Sequence, residues 1–293
     1  MSILKRAISA DGCVVASAID STDMVSMIEQ YHKPSAVVTA GLGRLATAAS
    51  LMGYSQKNEG DQLTLRVDGE GQIGSMIAVA DSWGNVKCCA DNYIVELPLN
   101  AAGKLDVGGA VGPGTLSVIK DLGLKEPYVG TIPLVSGEIA EDIANYFVAS
   151  EQIPTVLSLG VLVAPDLHVL HAGGFLIQLL PFADEACIPI LEQNVASMPH
   201  VTEMLKSGMT AEDIVMKCLE GLEPNLLDSG EPVYHCDCSR ERTSRILISI
   251  GNEELQRLAD SGETIEVCCH FCDRKYEFTP AEILGMMRTE ETS

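Results

Sequence analysis

The chain has 293 residues, enough for one well-buried domain and one or two smaller units. Its 46% hydrophobic and 20% charged residues place it among globular rather than disordered chains, and 4% aromatics leave the core to Val, Ile, Leu, Ala and Met. A net charge of -22 repels phosphate backbones and anionic headgroups, which counts against nucleic acid or a membrane as partner.

Residues 1–181 read as the main domain, with a mixed α/β-sheet organisation. Leu4–Ala10 and Cys13–Ile19 alternate around Asp11-Gly12, the signature of a β-hairpin. Ser21-Thr22-Asp23 offers an N-cap for a short helix, and Pro34-Ser35 precedes an Ala-rich helix ending near Gly53. Arg44 interrupts that apolar run, which suits a buried core helix better than a membrane span. Gln62–Val67, Ser75–Ala80 and Val86–Ala90 are strand candidates, with a turn at Trp83-Gly84-Asn85. Glu138–Ser150 carries Ile139, Ile143, Tyr146 and Phe147 at helical spacing, and Pro154 stops it. Val156–Leu180 is broken by Pro165-Asp166 and Gly173-Gly174 and reads as a strand hairpin. Consecutive strands without βαβ alternation predict an α+β fold.

Residues 182–230 read as a helical linker. Cys187, Leu191, Val195 and Met198 form one helical stripe, and Thr210 with Asp213 caps a second helix whose apolar face is Ile214, Cys218 and Leu222. Nine acidic residues, Asp184 among them, face two lysines, so these helices are expected to be stable only while docked.

Residues 231–293 read as a third unit with a helix at Asn252–Ala259, strands at Thr264–Val267 and Lys275–Phe278, and a capping box at Thr279–Glu282 opening a last helix. Its apolar residues are too few for an independent core, so another staple is needed.

Residues 1–20 show no apolar signal-peptide core, and ten cysteines without one imply a reducing, cytoplasmic setting in which clustered thiols bind metal or do redox work. Cys236-Asp237-Cys238 and Cys269-His270-Phe271-Cys272 supply two close pairs, the pattern of a tetrahedral four-cysteine zinc site. Zinc held this way contributes about 10–16 kcal/mol in small peptides, ample for a unit with so thin a core. C-x-C is tighter than the usual C-x-x-C of structural sites, and its two sulfurs can also close a small disulfide ring. Oxidising such thiolates would strip the metal of its ligands and convert an oxidant signal into local unfolding. Cys268 is a possible auxiliary thiol, either a competing ligand or a partner in disulfide exchange; Cys269 is favoured because it completes C-x-x-C with Cys272. His235 and His270 are surplus to a filled tetrahedral shell. Cys13, Cys88, Cys89, Cys187 and Cys218 lie in periodic apolar contexts and are expected to be buried, inert thiols.

The C-x-C pair, the phrase Cys238-Ser239-Arg240-Glu241-Arg242, and Cys269–Cys272 followed by Tyr276 and Phe278 resemble the heat-shock-protein-33 family of redox-regulated 33 kDa chaperonins. So do Gly112–Val118, Lys120–Leu124, Ser136-Gly137-Glu138, Ser150–Pro154 and Ala172-Gly173-Gly174-Phe175. The resemblance implies a cytosolic holdase, not an enzyme, that needs no ATP and has no catalytic residues. It implies one Zn²⁺ in an inactive reduced form. Oxidation is then expected to form the disulfides Cys236–Cys238 and Cys269–Cys272, release zinc, unfold the linker, and yield a homodimer that holds unfolding client proteins. Leu191, Val195, Ile214 and Leu222 are candidates for the surface that clients meet.

Two competing readings are a zinc-ribbon nucleic-acid binder and a thiol oxidoreductase. The first is opposed by thirteen acidic against seven basic residues in 231–293, with a small basic cluster at Arg240, Arg242 and Arg245. The second needs a thioredoxin-like setting with a helix opening at the C-x-x-C, which the pattern does not offer. Gly69-Glu70-Gly71-Gln72-Ile73-Gly74 spells G-x-G-x-x-G, but strand-and-turn residues follow it where a dinucleotide site needs a helix, so a tight turn is expected there.

Overall fold

Asp11-Gly12 turns the chain between strands β1 (Ile3–Ile8) and β2 (Val14–Asp20), with Gly12 at φ 71°, a backbone state that costs other residues a Cβ clash. Helices α1 (Thr22–His32) and α2 (Ala36–Gly53) follow, then β3 (Gln62–Gly69), β4 (Ser75–Asp81), β5 (Val86–Ala90), α3 (Val107–Val111), β6 (Gly114–Asp121) and β7 (Tyr128–Pro133). Next come α4 (Ala140–Tyr146), a π-helical turn (Phe147–Glu151), β8 (Thr155–Val163), β9 (Val169–Leu179), α5 (Ile188–Ser197), α6 (Val201–Lys206), α7 (Ala211–Cys218) and β10 (Asn225–Gly230). The chain ends with α8 (Arg240–Ile248), α9 (Asn252–Asp260), β11 (Ile265–Cys268), β12 (Lys275–Phe278) and α10 (Pro280–Glu290). The computed structural model describes residues 1–181, 183 and 185–290; Phe182 and Asp184, at the start of the expected linker, and 291–293 lie outside it.

The expected α+β class holds. Two five-stranded sheets run in the orders β10-β1-β2-β9-β8 and β5-β4-β3-β6-β7, with antiparallel ladders throughout. Helix α2 packs on strands of both sheets, and every residue of it except Ala36 and Arg44 is buried. It is long and apolar enough to cross a membrane by composition, yet 89% of it lies inside the fold. The close approach rests on small side chains. A Cβ at Gly43 would sit 2.8 Å from both Val161 Cγ2 and Val25 Cγ1. Arg44 reaches out of this core to the carboxylate of Glu138.

The G-x-G-x-x-G stretch is the β3–β4 turn. A Cβ at Gly71 would fall 2.4 Å from the Ala110 carbonyl oxygen, so glycine is needed where the turn presses on α3. No helix opens there, which removes the dinucleotide reading.

Helices α5–α7 cover the outer face of the first sheet. Ala7, Val14, Ala16, Ala18, Phe175 and Ile177 form one buried cluster with Leu191, Val201, Met204, Ile214, Val215 and Cys218. Period-two alternation explains this: Leu176 points into the α2 core while its neighbours Phe175 and Ile177 point out to the helices. Helix α7 starts where expected, the Thr210 hydroxyl accepting from the Asp213 N–H at 3.1 Å and the Asp213 carboxylate from the Thr210 N–H at 2.8 Å. The segment also contains β10, an edge strand paired with β1 that the helical reading of 182–230 does not include.

The chain divides into two compact units, Met1–His235 and Cys236–Ser293. Residues 182–230 thus sit in the first unit, and the second begins at the first cysteine pair. Its core comprises Leu247, Leu255, Ala259, Phe278 and Ile283, flanked by half-buried Ile265, Val267, Tyr276 and others. That is as thin as the sequence implies. The two-stranded sheet β11-β12 is marginal by itself.

Candidate metal centre

Strands β11 and β12 pair in register, Val267 opposite Tyr276 and Cys268 opposite Lys275. The turn joining them is held by Cys269 N–H to the Arg274 carbonyl at 2.9 Å and by Asp273 N–H to the Cys269 carbonyl at 2.9 Å. Asp273 takes φ 53°, a left-handed state that Asp tolerates better than most residues. This turn aims Cys269 and Cys272 to one side. The other pair lies just before α8, where Cys236 and Cys238 are half-buried and Asp237 between them is exposed, ion-paired to Arg242. The Ser239 hydroxyl caps α8 by accepting from Arg242 N–H at 3.2 Å, which fixes where the C-x-C pair ends.

The sulfurs of Cys236, Cys238, Cys269 and Cys272 lie within 4.8 Å of one another. Cys238 Sγ is 3.4 Å from Cys272 Sγ, and Cys236 Sγ is 3.6 Å from Cys269 Sγ. A tetrahedron with metal–sulfur bonds of about 2.3 Å has edges of about 3.8 Å. The donor set therefore fits a thiophilic dication, and these four residues can hold a metal ion.

Electrostatics point the same way. Burial pushes the Cys236 thiol far up and the Cys272 thiol up to about 11. Burial also acts to raise Cys238, but hydrogen bonds, first from the Tyr276 hydroxyl, leave it below the usual thiol value. Four crowded thiolates without a cation repel one another, so full ionisation needs a bound positive charge.

Cys268 does not join the group. As the last residue of β11 it points away from Val267, is exposed, and its thiol faces the Glu266 carboxylate at 3.7 Å. His235 and His270 are exposed and lie outside it as well. Cys88, Cys187 and Cys218 are buried as expected, with burial pushing Cys218 up to about 12. Cys13 and Cys89 are only half-buried, because the first follows the β1–β2 turn and the second lies on edge strand β5. Tyr276 is the contact that motif spacing does not assign: its hydroxyl donates to Cys238 Sγ at 3.1 Å. The available signal was its place two residues before the buried Phe278 on the same strand face.

The family model described as Hsp33 protein matches residues 2–279, which spans nearly all of the first unit, the second unit as far as the start of α10, and all four clustered cysteines. This chain belongs to the Hsp33 family. Among its Hsp33 relatives, proteins called 33 kDa chaperonin from Agathobacter rectalis and Clostridioides difficile are 47% and 46% identical. The first alignment covers 96% of this chain and 98% of the relative, and the second 97% of each. The crystal structure of the 33 kDa chaperonin, a heat shock protein 33 homolog, from Thermotoga maritima superposes with a TM-score of 0.92 at 33% identity, covering 99% of both chains.

Proposed function

We propose that this chain is a redox-regulated, ATP-independent chaperone of the holdase type, kept inactive while Cys236, Cys238, Cys269 and Cys272 hold one zinc ion. The observation that carries the reading is the four-sulfur cluster within a unit whose own core comprises five buried apolar residues. When bound, zinc keeps the sulfurs deprotonated and supplies the folding energy the core lacks. The names of the relatives supply the chaperone class.

In this reading the thiolates are the sensor. A peroxide or hypochlorite oxidises one sulfur and is itself reduced to water or chloride, and a neighbouring thiolate closes a disulfide. The four cysteines that would hold the metal then no longer offer it thiolates, and residues 231–293 lose their staple. We assign the disulfides as Cys236–Cys238 and Cys269–Cys272; since all four sulfurs lie within 4.8 Å, the pairing comes from the resemblance and not from the reduced geometry. The linker, 182–230, then undocks from the first sheet and exposes apolar surface to unfolding client proteins. Its acid-rich helices and the buried Leu191 and Ile214 beneath them support that step. The active form is proposed to be a homodimer in the cytoplasm, with neither nucleic acid nor membrane as partner.

The competing readings find less support. The guanidinium groups of Arg240 and Arg242 are paired with Glu282 and Asp237, so the small basic cluster is largely neutralised. The C-x-x-C lies in a hairpin turn and not at a helix N-terminus, where a thiol oxidoreductase would place it.

The test measures zinc content, and suppression of aggregation of a heat-unfolded client, before and after hypochlorite. Zinc is expected at one per reduced chain, released on oxidation as protection appears. Retained zinc, or equal protection by the reduced protein, would sink the reading. A ligand test accompanies it. Cys269→Ser is expected to weaken zinc binding by about 10²-fold or more, while Cys268→Ser leaves it within about twofold. Competition titration against a chromogenic chelator reads both, and equal losses would overturn the choice of Cys269.

A further inference from the structure

The Tyr276 hydroxyl donates to Cys238 Sγ at 3.1 Å, and its ring is packed with the small core of the second unit. Cys236 and Cys272 also receive donors, but from the backbone N–H groups of Cys238 and Arg274. The donor on Cys238 is thus a side chain that can be removed without touching the backbone. The Arg274 guanidinium lies beside the Tyr276 hydroxyl and strengthens it as a donor.

We propose that Tyr276 is a positioning residue that restrains the Cys238 thiolate, making it slower to react with oxidant than it would be unassisted. The inference rests on the zinc-bound reading above. In that state all four sulfurs are already deprotonated, so a hydrogen bond cannot change how much thiolate is present. It can only withdraw charge from the sulfur, and thiolate nucleophilicity falls as charge is withdrawn, with a Brønsted slope of about 0.4–0.5. The sign follows: removing the hydroxyl accelerates the attack. With hypochlorous acid the Cys238 sulfur attacks chlorine, the S–Cl bond forms, the O–Cl bond breaks and hydroxide leaves. A second thiolate of the cluster then displaces chloride to give the disulfide. Two thiolates lose one electron each, and the chlorine is reduced to chloride.

The role is distinct from packing. Phenylalanine keeps the ring between its neighbours and removes only the donor, whereas a general loosening of the unit would expose every sulfur alike.

The experiment compares full-length, zinc-loaded wild type and Tyr276→Phe under limiting hypochlorous acid. Differential alkylation with mass spectrometry follows each cysteine, and a chromogenic chelator follows zinc. In the variant, Cys238 is expected to oxidise about three- to tenfold faster relative to Cys269 and Cys272, with the starting zinc content unchanged. Equal Cys238 rates, or acceleration of all four cysteines together, would overturn the inference. If Tyr276→Phe does not retain zinc, a ring-fluorinated tyrosine in place of Tyr276 supplies the reverse test. A stronger donor is expected to slow Cys238, and an unchanged or faster rate overturns the proposal. Wild-type protein without zinc would overturn the zinc reading and this inference with it; zinc-bearing wild type that matches the variant overturns this inference alone.

Discussion

If the reduced protein carries zinc as proposed, stripping it with a strong chelator is expected to unfold the second unit, from Cys236 onward, while strands β1–β9 and the α2 core stay folded. The second unit buries only Leu247, Leu255, Ala259, Phe278 and Ile283 as a core, and its sheet has two short strands. So few buried side chains cannot by themselves offset the conformational entropy of ordering the unit, and a four-cysteine zinc site supplies the kind of cross-link that small, core-poor domains need. Amide exchange read by mass spectrometry should show α8–α10 losing nearly all protection, with β1–β9 unchanged. Cys272→Ser should do the same without chelator. Acid should favour the loss, with the sign set by competition between protons and zinc. Burial holds the Cys272 thiol near about 11 and Cys236 higher still in the absence of metal. At neutral pH zinc must therefore displace protons, and its apparent affinity should fall about tenfold per pH unit for each thiol displaced. Persistent protection of α8–α10 after zinc removal would refute the staple argument.

Much of this molecule was legible because its signals are local. The Asp11-Gly12 hairpin, the Ala-rich α2 after Pro34-Ser35, and the caps at Thr210 and Thr279 each depend on a few adjacent residues, and the structure places them as expected. The cysteine cluster was readable for the same reason, since two short motifs carry all four sulfurs. Elements made by distant partners were not. Strand β10 is almost wholly exposed and holds its place through backbone bonds to β1, more than 200 residues earlier, so its sequence carries no alternation. Strand β7 is likewise an exposed edge strand, containing Gly130 and Pro133, which argue locally against a strand. Helix α8 opens on Arg, Glu and Arg, with little apolar pattern to mark it. Ser21-Thr22-Asp23 offers an N-cap for α1, yet α1 opens at Thr22 and the Ser21 hydroxyl makes no cap bond; it bonds the Thr47 hydroxyl at 2.7 Å, a contact only the packing of α2 can reveal. The Tyr276–Cys238 contact belongs to this second class.

Ile214→Asp is expected to give a chaperone that protects clients without oxidant while still carrying zinc. Ile214 lies on α7, fully buried against the outer face of the first sheet. A carboxylate there has no partner in an apolar cluster, and an unpaired buried charge is destabilising by about 3–5 kcal/mol. That exceeds what a short, acid-rich set of helices can spare, so the cheapest response is for α5–α7 to leave the sheet. The ends of the segment stay anchored, at β9 on one side and through the β10–β1 pairing on the other. Release therefore opens one loop without unfolding the sheet. The α2 core is untouched, because Ile214 belongs to the outer cluster and not to the one around α2. Hydrogen exchange should rise across α5–α7 and stay low in α2, β2 and β9. Ile214→Val, which keeps the apolar contact at a cost of about 0.5–1.5 kcal/mol, should remain dependent on oxidant. The aggregation assay then separates two roles for the zinc unit. If Ile214→Asp frees the helices and protects clients, zinc loss acts only by undocking them. If the helices are free and clients still aggregate, the active surface includes residues that the second unit itself must expose.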